Sequence, residues 1–328
     1  MGPTCPCYAL VMKTRRLPGT DLDLSIVGFG GWAIGGDYWG DDVNDERSTQ
    51  AIRRALELGI NWFDTAPIYG EGHSESVLVK ALGSDLKRVT LATKVGVRSI
   101  GDHMQSQLTP EWIEEDLHTT LRRLGVDCID LLQVHWPCEF GTPLEDTYAA
   151  LDKLRQQGKF RYLGVCNYNA ASLEQIAAIT PLVSVQTGYG LLRREAENGL
   201  IHTAQRLHIG VFAYEALCRG LLTGKFTTPP KFPETDMRSR DDRFKGGRFF
   251  HAQRLAADLA KVARRLGVPP AAVAIGWVAS RPGVTSVIVG AKGPEQVEQN
   301  VLAANIVDRT KAWQIVDRIA AVHGGTPR

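Results

Sequence analysis

Four side chains able to handle protons close apolar runs or follow them directly. Asp64 ends Asn61-Trp62-Phe63-Asp64, Tyr69 follows in Pro67-Ile68-Tyr69-Gly70, Lys94 ends Leu91-Ala92-Thr93-Lys94, and His135 ends Leu131-Leu132-Gln133-Val134-His135. A charge that is buried needs a partner, and these residues can serve one another. A phenol ionises near pH ~10 and is a poor acid at neutrality unless a cation favours its anion. Lys94 is therefore expected to lower the pKa of Tyr69, with Asp64 holding the ammonium. His135 can donate a hydrogen bond to a carbonyl oxygen and orient it. The set suits carbonyl reduction, Tyr69 protonating the oxygen as hydride reaches the carbon. Alone, each residue would be an ordinary turn or packing residue; together on three consecutive strands they form a reacting set. No His/Cys cluster has metal-ligand spacing, so no metal is expected.

Placing these groups at one rim requires a parallel sheet closed on itself. Short apolar runs at 25–30, 60–66, 89–94, 129–135, 162–167, 183–186, 210–215 and 286–290 read as eight strands. Between them, helical periodicity occurs at 46–58, 74–82, 110–124, 145–157, 171–179, 196–207, 250–266 with 269–280, and 294–304. That alternation predicts an α/β fold, a (β/α)8 TIM barrel, in which reactive groups sit at the C-terminal strand ends. Caps agree: Asn44 or Asp45 can open the first helix, Thr109-Pro110 opens the third, and Gly59, Gly125, Gly158 and Gly267 stand where helices should stop. The segment 15–24, with Pro18-Gly19 at its centre, predicts an N-terminal β-hairpin plugging the barrel bottom. A long loop rich in Gly, Pro, Arg and Asp, 218–249, follows strand seven, and 310–322 reads as a C-terminal helix. An open doubly wound sheet is the rival, but Gly28-Phe29-Gly30-Gly31 lacks the Gly-x-Gly-x-x-Gly spacing after the first strand.

Bulk properties exclude other classes. The chain has 328 residues, 44% hydrophobic and 23% charged, with no apolar run near the ~20 residues a membrane helix needs. With 38 basic and 36 acidic side chains, no basic field recruits nucleic acid. Six cysteines are scattered, only Cys5 and Cys7 lying close, and the start lacks a charged and apolar leader. A cytoplasmic location is expected. Residues 1–12 read as a disordered extension and 13–328 as one barrel domain.

From about Arg15 to the C-terminal helix the chain resembles the aldo-keto reductases, in particular a bacterial NADPH-dependent subgroup of inositol-utilisation and general-stress operons. Asn61–Gly70 with Glu71-Gly72-His73-Ser74-Glu75 carries the likeness, with Leu91–Lys94, Gln133-Val134-His135-Trp136-Pro137, Gly164-Val165-Cys166-Asn167, and the run from Leu217 to Lys225. The resemblance puts the family's Asp, Tyr, Lys and His tetrad on Asp64, Tyr69, Lys94 and His135. It implies an NAD(P)H-dependent oxidoreductase acting on CH–OH or C=O groups. Cys166, Asn167 and Gln186 would hold the nicotinamide amide, with a thiol in place of the family's serine and so a weaker donor. Tyr214 would stack on the ring, and Leu217, Arg219, Gly220, Leu222 and Lys225 would fold over the pyrophosphate. Gly290, Lys292, Gln296, Gln299 and Asn300 would take the adenosine end, where a helix start beside a lysine is a natural phosphate site. Gln296 replaces the arginine that many relatives place on the 2′-phosphate, leaving Lys292 as the main cation; NADP(H) is favoured over NAD(H).

Gly31 and Trp32 would complete the cofactor groove, and Trp32, Tyr38, Trp39, Trp136 and Phe140 would line a pocket for a small-molecule carbonyl, apolar or sugar-like. Three other readings stay open: a cofactor-binding regulatory subunit like those of potassium channels, a sugar dehydrogenase running oxidatively, and a barrel aldolase or isomerase using Lys94 as a Schiff-base nucleophile. The sequence does not fix the oligomeric state.

Overall fold

The computed structural model describes residues 12–36, 38–40, 43–101 and 103–323. Of the expected N-terminal extension, residues 1–11 lie outside that range; Met12 packs against the main core. Eight parallel strands close a barrel: β3 (Val27–Gly30), β4 (Trp62–Asp64), β5 (Thr90–Val95), β8 (Ile129–Val134), β9 (Phe160–Cys166), β10 (Ser184–Gly188), β11 (Gly210–Tyr214) and β12 (Val284–Gly290), with β12 pairing back to β3. Ahead of it, β1 (Thr14–Arg16) and β2 (Asp23–Ser25) form an antiparallel hairpin. A second hairpin, β6 (Val97–Ile100) and β7 (His103–Ser106), stands after β5. The helices are α1 (Asp45–Glu57), α2 (His73–Leu82), α3 (Pro110–Leu124), α4 (Leu144–Gln156), α5 (Ala170–Ala177), α6 (Leu200–Arg206), α7 (Gly246–Leu266), α8 (Pro270–Ala279), α9 (Pro294–Val301) and α10 (Thr310–Val322).

Helix starts follow the capping logic. The side chains of Asn44, Thr109 and Asn169 accept from the amides of Arg47, Trp112 and Ser172, and Gly125 and Gly267 end α3 and α7 in the left-handed region. The expected helix at 196–207 is shorter, because Gly199 at φ 109° interrupts it and α6 starts at Leu200. Helix α7 begins at Gly246, four residues before the apolar periodicity that marked its start at 250.

Because side chains alternate along a strand, Trp62, Ala92, Leu131, Phe212 and Ile288 point inward, where they pack on Leu17, Leu22 and Leu24 of the β1–β2 hairpin and its turn. That closes the bottom as expected. Gly28 makes room for the Trp62 indole, which a Cβ there would meet at 2.2 Å. On β4, β5, β8 and β11 the next inward residue up, Asp64, Lys94, Gln133 and Tyr214, is polar, and this layer faces the opposite rim. Among the described residues no helix is long and apolar enough to cross a membrane, and no His, Cys, Asp and Glu group is placed to hold a metal ion.

Candidate active site

Lys94 sits at the end of β5 with 0% exposure, and its ammonium spends all three donors. Nζ reaches Asp64 Oδ2 at 2.7 Å, the Thr65 carbonyl at 2.9 Å and Tyr69 Oη at 3.2 Å. Asp64 is held as well, its Oδ1 accepting from Gln133 Nε2 at 3.1 Å and Gln186 Nε2 at 2.9 Å. The loop carrying Tyr69 is tied down from α2, where Ser74 Oγ donates to the Gly31 carbonyl and shares a hydrogen bond with Thr65 Oγ1. Beneath it, Glu75 is buried and accepts from Thr93, Thr120 and Arg123. The His135 ring lies edge-on to Tyr69 with centroids 5.8 Å apart.

Burial disfavours the Lys94 ammonium, yet Asp64 together with Tyr69 and Cys166 offsets it and the pKa stays raised. Burial lifts Tyr69 well above the ordinary phenol value, and Lys94 pulls it back only in part. This corrects the expectation of a net lowered phenol: a half-buried hydroxyl at the base of a cavity loses more hydration than one neighbouring cation returns. Tyr69 is thus held as the protonated acid. Burial and then Lys94 push His135 well below its usual value, so its imidazole is neutral and carries one N–H donor.

A cavity of about 1080 Å³ opens above this layer. Asp64, Tyr69 and His135 form its floor; Asn167, Gln186 and Tyr214 form one wall. Leu217, Arg219, Gly220 and Lys225 line another side, and Gly290, Lys292, Gln296, Gln299 and Asn300 the far end. Trp32, Tyr38, Trp39 and Trp136 stand at the mouth as expected, Trp32 and Trp39 meeting edge to face at 5.2 Å. Phe140 does not belong there: it is 57% exposed, on the turn after β8, outside the lining. Nor do three proposed cofactor contacts reach the cavity. Gly31 faces Ser74, Leu222 is buried in the main core, and Cys166 is buried with its thiol donating to Gln133 Oε1 at 3.5 Å. Among the readings that gave Lys94 a nucleophile's role, none survives a charged, fully bonded amine outside the lining.

Sequence reasoning missed Ile68, Met104, Phe232 and Arg238 in the lining. Met104 arrives on the β6–β7 hairpin, for which Gly96 and Gly101, both at positive φ, were the available signal. The segment after β11 is folded, with 3₁₀ turns at Cys218–Thr223, Met237–Ser239 and Asp242–Phe244. Arg219 bridges Glu215 and Asp241 at 3.2 and 2.9 Å, Arg243 meets the same two carboxylates, and Arg193 meets Glu215. Met237 N–H donates to the Tyr38 carbonyl and Asp236 forms a β-bridge with Trp39, so the segment arches over the groove to the loop after β3, where Lys292 Nζ also reaches the Trp39 carbonyl at 2.6 Å.

The model of the aldo/keto reductase family matches residues 26–321. The chain is similar to the aldo-keto reductase YhdN of Bacillus subtilis, 36% identical over 290 residues, covering 88% of this chain and 87% of that one. An NADH-specific methylglyoxal reductase of Escherichia coli is 32% identical, with 90% and 94% covered. Among solved structures, a glycerol dehydrogenase of Gluconobacter oxydans superposes with a TM-score of 0.86 at 36% identity, covering 96% and 97%.

Proposed function

Since the chain belongs to the aldo/keto reductase family, whose oxidoreductases act on carbonyl or alcohol groups with nicotinamide cofactors, we propose that it reduces an aldehyde or ketone, prefers NADPH to NADH, and uses Tyr69 as proton donor. The observation that carries this reading is the unbroken chain of hydrogen bonds from Asp64 through Lys94 to Tyr69 on the cavity floor.

The nicotinamide, when bound, supplies the hydride. His135 donates to the carbonyl oxygen and aligns it with Tyr69, whose protonated hydroxyl releases its proton as negative charge grows there. Lys94 then stabilises the phenolate left behind, an interaction stronger in the transition state than before it. The residues present fit such a cofactor. The indole N–H of Trp39 is buried without a partner in the cavity wall, and Cys218, Arg219 and Gly220 follow one another in the left-handed region, turning the backbone of the arch into a bend that suits an anion. Tyr214 donates to Asn167 Oδ1 at 2.6 Å, which fixes both for a flat ring beside them.

Preference for NADPH rests on Lys292, half-buried at the start of α9. The methylglyoxal reductase named NADH-specific makes this the point to test. Turnover of a panel of aldehydes, ketones and sugars with each cofactor is expected to favour NADPH, and Lys292→Ala to weaken only NADPH, by ~1 kcal/mol for a partly exposed charge. Equal affinities in the parent protein would end the preference, and no turnover of any carbonyl or alcohol would favour a regulatory subunit. The glycerol dehydrogenase likeness supports a second reading, oxidation of a polyol, which the same panel reads in reverse.

A further inference from the structure

We propose that Gln133 is a positioning residue for catalysis, orienting Asp64 through the bond to its Oδ1, and that Cys166 steadies Gln133 by satisfying the other end of its amide; this rests on the reading of Tyr69 as proton donor. Gln133 lies fully buried on β8, directly beside Lys94 on β5 and Gly164 on β9. Gly164 leaves room on that side: a Cβ there would clash with Ser184 Oγ at 2.1 Å and crowd Gln133 Cγ at 3.3 Å. No part of Gln133 lines the cavity, so it touches neither substrate nor cofactor.

An amide has a donor end and an acceptor end, and its neighbours decide which way it faces. A carboxylate only accepts, so Nε2 must point to Asp64 Oδ1, 3.1 Å away. Oε1 is then committed to the other side, where the Cys166 thiol lies 3.5 Å off. Burial raises the Cys166 pKa, which keeps the proton on sulfur and the thiol a donor. The order of bonds is thus Cys166 to Gln133, Gln133 to Asp64 Oδ1, and Asp64 Oδ2 from Lys94, whose Nζ reaches Tyr69. With Gln186 as the other donor to Oδ1, Asp64 is held in the plane that aims its second oxygen at Lys94. Cys166 therefore supports the site from behind rather than gripping the cofactor.

The test is Gln133→Leu, which keeps the volume and removes the amide, beside Cys166→Ala and Cys166→Ser. The expected result is a kcat lower by ~10- to 100-fold in Gln133→Leu, the worth of one hydrogen bond to a charged group. KM and the NADPH dissociation constant should stay at parental values, a split that mere loosening of the barrel would not give. Cys166→Ala should move kcat the same way and Cys166→Ser, which restores a donor, should return it. Independently of turnover, the infrared S–H stretch assigned by difference to Cys166 should lie at a hydrogen-bonded frequency and shift to that of a free thiol in Gln133→Leu. Parental kcat in Gln133→Leu, or a free-thiol stretch in the parent, overturns the proposal. A parent without turnover sinks the proposed function instead and leaves the stretch to judge the relay. Should Gln133→Leu not fold, the cysteine pair and the stretch decide.

Discussion

His135 illustrates how burial selects a chemical role. A histidine in water is half-protonated near pH ~6.5, but here burial and then Lys94 favour the neutral ring. Its folded pKa is depressed, so charging it on acidification would cost stability, and across ordinary pH the ring offers one fixed N–H. Carbonyl kcat/KM should therefore be flat between about pH 6 and 8; an acid limb near ~6.5 that disappears in His135→Gln would show a protonated imidazole at work instead. That Asp64, Tyr69, Lys94 and His135 come together was legible in the sequence because each closes or follows an apolar run. Their electrostatics were not. Whether Lys94 or burial dominates at Tyr69 depends on how much water remains around the hydroxyl, and neighbouring residues in sequence do not report that. The inward turn of Cys166 was equally hidden, since it takes the register of β9 against β8 to bring its sulfur to Gln133.

The arch after β11 is held by charge as well as by the apolar cluster of Leu221, Phe226, Phe232, Phe244 and Phe249. Glu215 is buried, which disfavours its carboxylate, but Arg243, Arg193 and Arg219 hold its pKa below the usual range, and Asp241 is held low likewise. For a depressed carboxylate, the stabilisation is fully present above the unfolded pKa of ~4.3 and is lost as pH falls through the lower folded value. Glu215→Gln should thus cost about 1.5–3 kcal/mol at pH 7, and the difference between parent and variant should begin to shrink as pH falls below about 4 and vanish only below the folded pKa. Thermal unfolding across pH measures this; a constant difference down to pH ~3 would mean that Glu215 packs rather than pairs. Length and composition marked this segment as functional, but its ion pairs join residues up to 28 apart and its turns are too short for periodicity. The β6–β7 hairpin escaped for a related reason: Arg98, Ser99, His103 and Gln105 break the apolar alternation that identifies a strand.

At the scale of the molecule, the barrel separates what holds it together from what it does. The bottom is apolar and plugged by the β1–β2 hairpin, with Leu17 fully buried, while the polar inward layer lies at the other rim. Leu17→Ala should remove about 2–5 kcal/mol of stability and leave kcat and KM unchanged at temperatures where the protein stays folded; a lowered kcat would couple the plug to the site. The eightfold alternation made this division readable, whereas the inward layer's exact partners needed the closed sheet. In the proposed function the whole arrangement serves one hydroxyl, so the direct measurement is carbonyl turnover by Tyr69→Phe together with its NADPH dissociation constant. Turnover reduced by ~10² to 10⁴ with cofactor affinity nearly intact is the predicted result; near-parental turnover would remove Tyr69 from the chemistry and contradict the account.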